Sequence, residues 1–390
     1  MCRAHRTLSI VLAIGFIIAL ASAAQAAVGD GYDGSMQIAF TGYTNEAPLT
    51  DFPALVALSN GTVGLFYYRD MLSPPNADLR FADVGGNELS YEIDTWDTSG
   101  VSFVWVKLPL LTNGVAITCY WSQAGVQIPV YSTNGTIWSS GYLSVHHLSA
   151  ASGATAPDAA KKGYDGALVN MTNSNWVAGK IGRALAFNAA DEGDEYVELP
   201  DGYSTFTNGL TVSAWVKCST LVGYKTVLSI GNDQYNDIVW LGANYAANEA
   251  YIGDAVGGSA YMSVDGVYLS NQWVHMAFNC TTGEPGTCVA QFYGNGLAVA
   301  ITNGFTAPTV FPRTNNFLGF DVWGDYMAGR LDEVQVSDLV RSPEWIWASY
   351  LNQNDPSTFA AYSPGIPEPT AAAAVVGCWL FVARRNRRGR

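Results

Sequence analysis

Asp332 and Glu333 stand inside a stretch that otherwise reads as a strand, GRLDEVQV from Gly329 to Val336, where Leu331, Val334 and Val336 are apolar. A half-buried carboxylate is costly unless it is paired, hydrogen-bonded or metal-bound, so this pair needs partners. Neighbours in a regular strand point to opposite faces. One acid is therefore expected to face a cation or loop, and the other solvent. Asp158 and Asp165, in PDAAKKGYDG, are two further acids at a candidate domain start. The dense run Asp191 to Glu195 reads as a solvated turn. His146 and His147 are adjacent in a strand-like stretch, so they cannot easily chelate one ion and are expected to be packed or hydrogen-bonded. Cys280 and Cys288 flank TTGEPGT, a turn between two strand-like runs, and a disulfide is expected there in a secreted chain. Cys119 and Cys218 read as free core thiols, and no cysteine shows CxxC metal spacing.

These groups must be held by β structure. The 390 residues are 49% hydrophobic and 13% aromatic, with 40 glycines and only 13% charged residues, a mix that excludes a disordered chain. Short apolar runs alternate with Gly-Asn, Asn-Gly and Ser-Gly turns, and no long 3.6-residue periodicity appears. The fold class is all-β: a small N-terminal β-sandwich over 27–140, then a second domain over 141–355, for which its resemblance to a known family implies a jelly-roll β-sandwich. In the first, strands are expected over Pro53–Leu58, Leu79–Ala82, Ser90–Trp96, Val101–Leu108 and Val115–Trp121. After the acid pair, Ser342, Pro343 and Glu344 supply an N-cap, an N1 proline and a first-turn acid. The short helix they start carries Trp345, Ile346 and Tyr350 back onto the core.

Both ends read as targeting segments. Arg3, His5 and Arg6, the apolar run Leu8–Leu20 and the small-x-small triplet at Ala24–Ala26 make residues 1–26 a signal peptide. Residues 356–390 form a tail with a proline-rich hinge, a hydrophobic segment at 370–383 and five closing arginines. The apolar segment falls short of the ~20 residues that span a bilayer comfortably. Seven basic and one acidic residue lie in these two ends, which takes the formal net charge from −14 for the whole chain to about −20 for the part between. Such a surface argues against nucleic acid as a partner and is compatible with divalent cations.

Three resemblances follow from particular stretches. Pro367-Glu368-Pro369, the apolar run and the arginine end resemble the PEP-CTERM sorting signal of Gram-negative bacteria. That resemblance implies processing by an exosortase and delivery to the cell surface or extracellular matrix. FPALVALSNG, ADLRFADVGGNELSYEIDTWDTSG, VWVKLPLL and ITCYW resemble a secreted bacterial domain of unknown function that commonly precedes a concanavalin A-like domain. GKIGRALAFN, EYVELP, LTVSAWVK, NQWVHMAFN, VAQFYGNGLAVA, NNFLGF and GRLDEVQV resemble LamG-like, concanavalin A-type jelly rolls, with Asn295-Gly296 as the family's hairpin turn.

The LamG-like resemblance implies a structural Ca2+ held by Asp158 and Asp332. The usual Asp-Ser-Ser/Thr start is Asp158-Ala159-Ala160 here, which removes a hydroxyl ligand and makes Asp165 a substitute. Laminarinase-type jelly rolls carry catalytic carboxylates as Glu-x-Asp-x-x-Glu on one strand; no such run is found in this domain, and Glu195 and Glu198 face opposite ways. No nucleophile elbow, HExxH or P-loop motif appears. Glycan binding through Trp240, Tyr245, Tyr261 and Trp323, placed in loops or at strand edges, is the favoured expectation, without catalysis. The alternative is a structural envelope or matrix protein with no specific ligand, and a polysaccharide-acting hydrolase is less favoured.

Overall fold

The computed structural model describes residues 28–188, 194–233, 237–244, 247–253, 260–267 and 269–365. The expected signal peptide at 1–26, the triplet Pro367, Glu368 and Pro369, the segment 370–383 and Tyr245 lie outside the described residues. Among the described residues no helix is long and apolar enough to cross a membrane.

The chain is all-β, as its alternating apolar pattern requires. The first sandwich pairs a three-stranded sheet with a five-stranded one. Leu49–Ser59, Val101–Leu111 and Tyr91–Thr95 form the smaller sheet, with Val101–Leu111 in the middle. The larger runs in the order Ala361–Pro364, Gly34–Ala39, Ala116–Trp121, Arg80–Asp83, Glu88–Leu89. Met36, Ile38, Phe81, Ile117 and Cys119 from one sheet meet Leu55, Val104 and Val106 from the other in a dry core.

The strand Ala361–Pro364 was expected to belong to the tail. It pairs antiparallel with Gly34–Ala39, Met36 lying opposite Pro364 and Ala39 opposite Ala361. The first sandwich is thus built from both ends of the described chain, and the second is inserted into it. The boundary read at 355/356 falls between two helices, Pro343–Asn354 and Pro356–Phe359, that both pack on the first sandwich. Trp345, Ala348, Phe359 and Ala360 all enter its core.

The second sandwich faces two eight-stranded sheets against each other, Tyr142–His146 joining the second of them beside Gly329–Ser337. Apolar side chains such as Leu185, Val212, Val216, Leu228, Leu241, Phe278, Phe292 and Leu331 fill the space between them. Asn295 and Gly296 have φ of 49° and 79°, the paired left-handed conformation of a type I′ hairpin turn. A Cβ at Gly296 would meet Trp347 and Tyr350 of the helix, so glycine is required there for space as well.

The helix Pro343–Asn354 starts where its signals place it. The Ser342 hydroxyl accepts from Trp345 N at 3.2 Å, and Pro343 opens the first turn. One side packs on the first sandwich through Trp345, edge-on to Phe52. The other meets the jelly roll, where Ile346 packs with Ala277 and Tyr293 and Gln353 accepts from Trp215 Nε1 at 2.7 Å.

Candidate functional site

The strand Gly329–Ser337 explains its acid pair. Along one edge it pairs first with Arg183–Phe187, as far as Leu331, and then with Tyr142–His146, from Val334 onward. Asp332 and Glu333 fall in the handover between those two partners. Along the other edge the register with Leu210–Cys218 slips, Asp332 lying opposite Trp215 and Gln335 opposite Ser213. The slip is a β-bulge, and Glu333 adopts φ of 50°, a conformation rare for a non-glycine residue. The regular alternation expected from sequence is broken here. Both acids are buried, at 0% and 1% exposure, and neither faces solvent.

Asp332 Oδ2 accepts from Lys180 N at 2.7 Å and Ile181 N at 2.9 Å, in the loop Gly179–Gly182. Glu333 takes His147. Nδ1 of that imidazole lies 2.8 Å and 2.9 Å from the two carboxylate oxygens. The ring is stacked on Trp105 at 5.8 Å and flanked by Trp138 at 5.4 Å, both from the first sandwich. Burial alone would lower the His147 pKa, but Glu333, Asp94 and Glu92 together outweigh it and hold the ring up to about 10.

The first sandwich brings two more acids to this junction. Glu92 and Asp94 lie on the strand Tyr91–Thr95, two residues apart, and both line one cavity. Glu92 Oε2 accepts from Trp138 Nε1 at 2.7 Å. Asp94 has no hydrogen-bond partner at normal distance among the described residues, and the Ser149 side chain gives it only a longer polar contact. Burial raises Glu92, and it raises Asp94 to about 7. Asp332 is raised well above the ordinary carboxylate range by burial, with the neighbouring Glu333 adding to it.

The cavity measures about 210 Å³ and is walled by Glu92, Ile93, Asp94, His147–Ala150, Pro157, Ala159 and Lys161. It continues through Glu92, Ile93 and Lys161 into a wider cleft of about 570 Å³, lined also by Pro75, Asn76, Trp96, Ser132 and Thr133. The inner cavity takes one wall from each sandwich, whereas the cleft lies on the first sandwich and receives only Lys161 from beyond it. Trp96 is held edge-on against Phe66 and Tyr68, which fixes its ring at the rim.

Sequence reasoning missed Glu92 and Asp94. Their i, i+2 spacing is the signal that puts two acids on one face, but it occurs in the first sandwich and not in the jelly roll. The histidine pair is split as expected. His147 reaches Glu333, whereas the buried His146 faces the Ala156–Pro157 backbone and Asp158.

Of the residues singled out for Ca2+, Asp158 and Asp165 come together, and Asp332 is held by the loop Gly179–Gly182. Asp158 Oδ1 accepts from Val145 N and Ala160 N, and its Oδ2 from Lys162 N and Tyr164 N, so backbone donors ring the carboxylate. Asp165 Oδ1 accepts from Asp158 N at 2.6 Å. Asp332 stands apart in the bulge. Among the described residues the acids and histidines close enough to share an ion are Asp94, His147 and Glu333.

The aromatic candidates are likewise dispersed in role. Trp240 lies in an inner strand, Ile238–Asn244, and not at an edge. It is 3% exposed, and its Nε1 donates to Asp321 Oδ2 at 2.7 Å and Thr226 Oγ1 at 2.9 Å. It is a core residue of the outer layer. Trp323 is half-buried in the loop that Asp321 organises, and Tyr261 is 54% exposed on the edge strand Ala260–Asp265.

The expected disulfide is not formed: Cys280 and Cys288 are free, buried thiols. Cys280 lies opposite Ala290, so Cys288 is its diagonal neighbour, and the two side chains interact without being bonded. Cys119 and Cys218 are buried free thiols, as expected.

With this geometry established, comparison identifies the class of the second sandwich. Residues 191–347 match the Laminin_G_3 family, described as the concanavalin A-like lectin/glucanases superfamily. A concanavalin A-like domain therefore occupies this part of the chain. No curated protein matches the sequence. Similar solved structures include domain 4 of AbnA, a GH43 extracellular arabinanase from Geobacillus stearothermophilus, in complex with arabinotriose. It is 19% identical, with TM-score 0.40, over 53% of this chain and 97% of that one. The binding domain of Paraclostridial Mosquitocidal Protein 1 is 10% identical, with TM-score 0.40, over 54% and 52%. The Ruminococcus gnavus IT-sialidase CBM40 bound to α2,3-sialyllactose is 14% identical, with TM-score 0.32, over 40% and 95%.

Proposed function

We propose that the chain binds glycans without cleaving them, in the cleft on its first sandwich. We further propose that it does so as an exported protein of the cell surface or extracellular matrix, sorted through its tail by an exosortase. The observation that carries the reading is the composition of the cleft. A fixed indole at the rim, Trp96, stands beside Asn76, Ser132, Thr133, Glu92 and Lys161. An apolar ring face with a few convergent polar groups is the usual make-up of a small-ligand site, and it suits a sugar, with one apolar face and a rim of hydroxyls. The concanavalin A-like lectin/glucanases match over 191–347 supports a glycan ligand for the chain, and the cleft residues lie in the sandwich that encloses that domain.

A glycan array probed with the intact chain tests the reading. Retention of a polysaccharide, weakened about tenfold or more by Trp96→Ala, is expected. Retention of none would favour a structural matrix protein without a specific ligand. Shortening of a retained polysaccharide would overturn the non-catalytic reading and point to Glu92 and Asp94.

A further inference from the structure

We propose that Asp94, His147 and Glu333 form a divalent-metal site of the transition-metal type at the junction of the two sandwiches. The site lies deeper than the sugar-sized cleft and does not depend on the glycan reading. One ligand atom from each residue lies within 4.8 Å of the other two. A modest closure of side chains brings such a set to the ~2.0–2.2 Å ligand distances that Zn2+ takes from imidazole and carboxylate.

Acids in proximity do not by themselves make a site. Here the polar atoms bordering the cluster lack partners among the described residues. Both carboxylate oxygens of Asp94, Oδ1 of the fully buried Asp332 and Nε2 of His147 have none at hydrogen-bond distance. Glu92, Asp94 and Glu333 all act on one imidazole here, and Asp332 lies beside Glu333 and Asp94. A dication is a counterion that this concentration of acids can share.

The donor set selects the metal. One imidazole nitrogen with carboxylate oxygens suits Zn2+ or Mn2+. Ca2+ takes six to eight oxygens and has no use for the imidazole. On binding, the proton that His147 holds toward Glu333 leaves to solvent and the cation takes its place. The adjoining cavity of about 210 Å³ leaves room for water to complete the coordination.

Calorimetric titration of the metal-stripped intact chain with Zn2+ tests the site. One ion per chain is expected. Asp94→Asn should weaken it at least about tenfold, while Asp97→Asn, at an exposed acid three residues along, should leave it unchanged. Absence of binding, or binding indifferent to Asp94→Asn, overturns the site. Should Asp94→Asn fail to fold by circular dichroism, the unaltered chain decides. Loaded with Mn2+, it should show spin-echo modulation from one imidazole nitrogen, and its absence overturns the site.

Discussion

Asn352 hydrogen-bonds the backbone of Leu55 twice, its Oδ1 accepting from Leu55 N at 2.6 Å and its Nδ2 donating to Leu55 O at 2.9 Å. Leu49–Ser59 is an edge strand of the three-stranded sheet, so one side-chain amide does for this edge what another strand would do. The two residues are 297 positions apart, and the contact closes the first sandwich only after the whole jelly roll has been made. Asn352→Ala leaves a buried N–H and C=O without partners, which costs about 2–4 kcal/mol. A lower urea midpoint at unchanged m-value is the expected result.

Ending the chain at residue 355 tests where the first sandwich stops. It removes the buried Phe359, the strand Ala361–Pro364 and the Tyr362 hydroxyl, which accepts from Ala57 N at 3.0 Å. Loss of a buried phenylalanine alone costs about 3–5 kcal/mol. Thermal melts should show the first sandwich unfolding earlier, and amides of Gly34–Ala39 should exchange faster. Identical melts would mean that the segment after 355 is dispensable.

His275 is buried against Trp215 and Tyr350, and burial pushes its pKa down to about 3. The unfolded ring titrates near 6.5. Between those values the unfolded chain binds the extra proton, so stability is full above about pH 6.5 and falls as pH drops toward 3. The loss reaches about 3 kcal/mol by pH 4. The variant His275→Phe should show a flatter urea midpoint between pH 7 and 4 than the parent chain. Equal slopes would show that this ring is not held neutral.

Asp321 is fully buried and accepts from Trp323 N, Asp325 N, Thr226 Oγ1 and Trp240 Nε1. Asp321→Ala should cost about 3 kcal/mol through the donors left behind. It should also red-shift tryptophan emission as Trp240 gains water. Stability loss without the spectral change would place the damage elsewhere.

Cys119, Cys218, Cys280 and Cys288 should all react with a thiol reagent once the chain is unfolded without reductant. The melting temperature should not move when reductant is added. A melt that drops with reductant would restore the Cys280–Cys288 bridge.

Much of the second sandwich was legible through its resemblance to LamG-like domains, because its central strands are buried almost throughout and carry no alternation. Asn295-Gly296 and Ser342-Pro343 announce their turn and cap by chemistry that few other residues supply. What stayed hidden depends on register. Nothing in the letters Asp332-Glu333 reveals a bulge, because it arises from two partner strands meeting at that point. The pairing of Cys280 with Ala290 is set by the same kind of alignment. The strand Ala361–Pro364 is four residues long and ends in proline, so it carries almost no local signal, and its identity comes from Gly34–Ala39. Glu92 and Asp94 were readable as a pair, but only the fold shows that His147 and Glu333 await them from the other sandwich.

The pairing of Met36 with Pro364 also has a mechanical meaning. Both ends of the described chain leave from one edge of one sheet, so a pull on the chain beyond Gly365 is borne first by a ladder four residues long. That load reaches the concanavalin A-like domain only through the sandwich that encloses its two connections. Tension on the tail would therefore strip the edge strand and loosen the helix carrying Trp345 and Asn352, and so slacken the junction where Glu333 holds His147, before it strained the inserted domain.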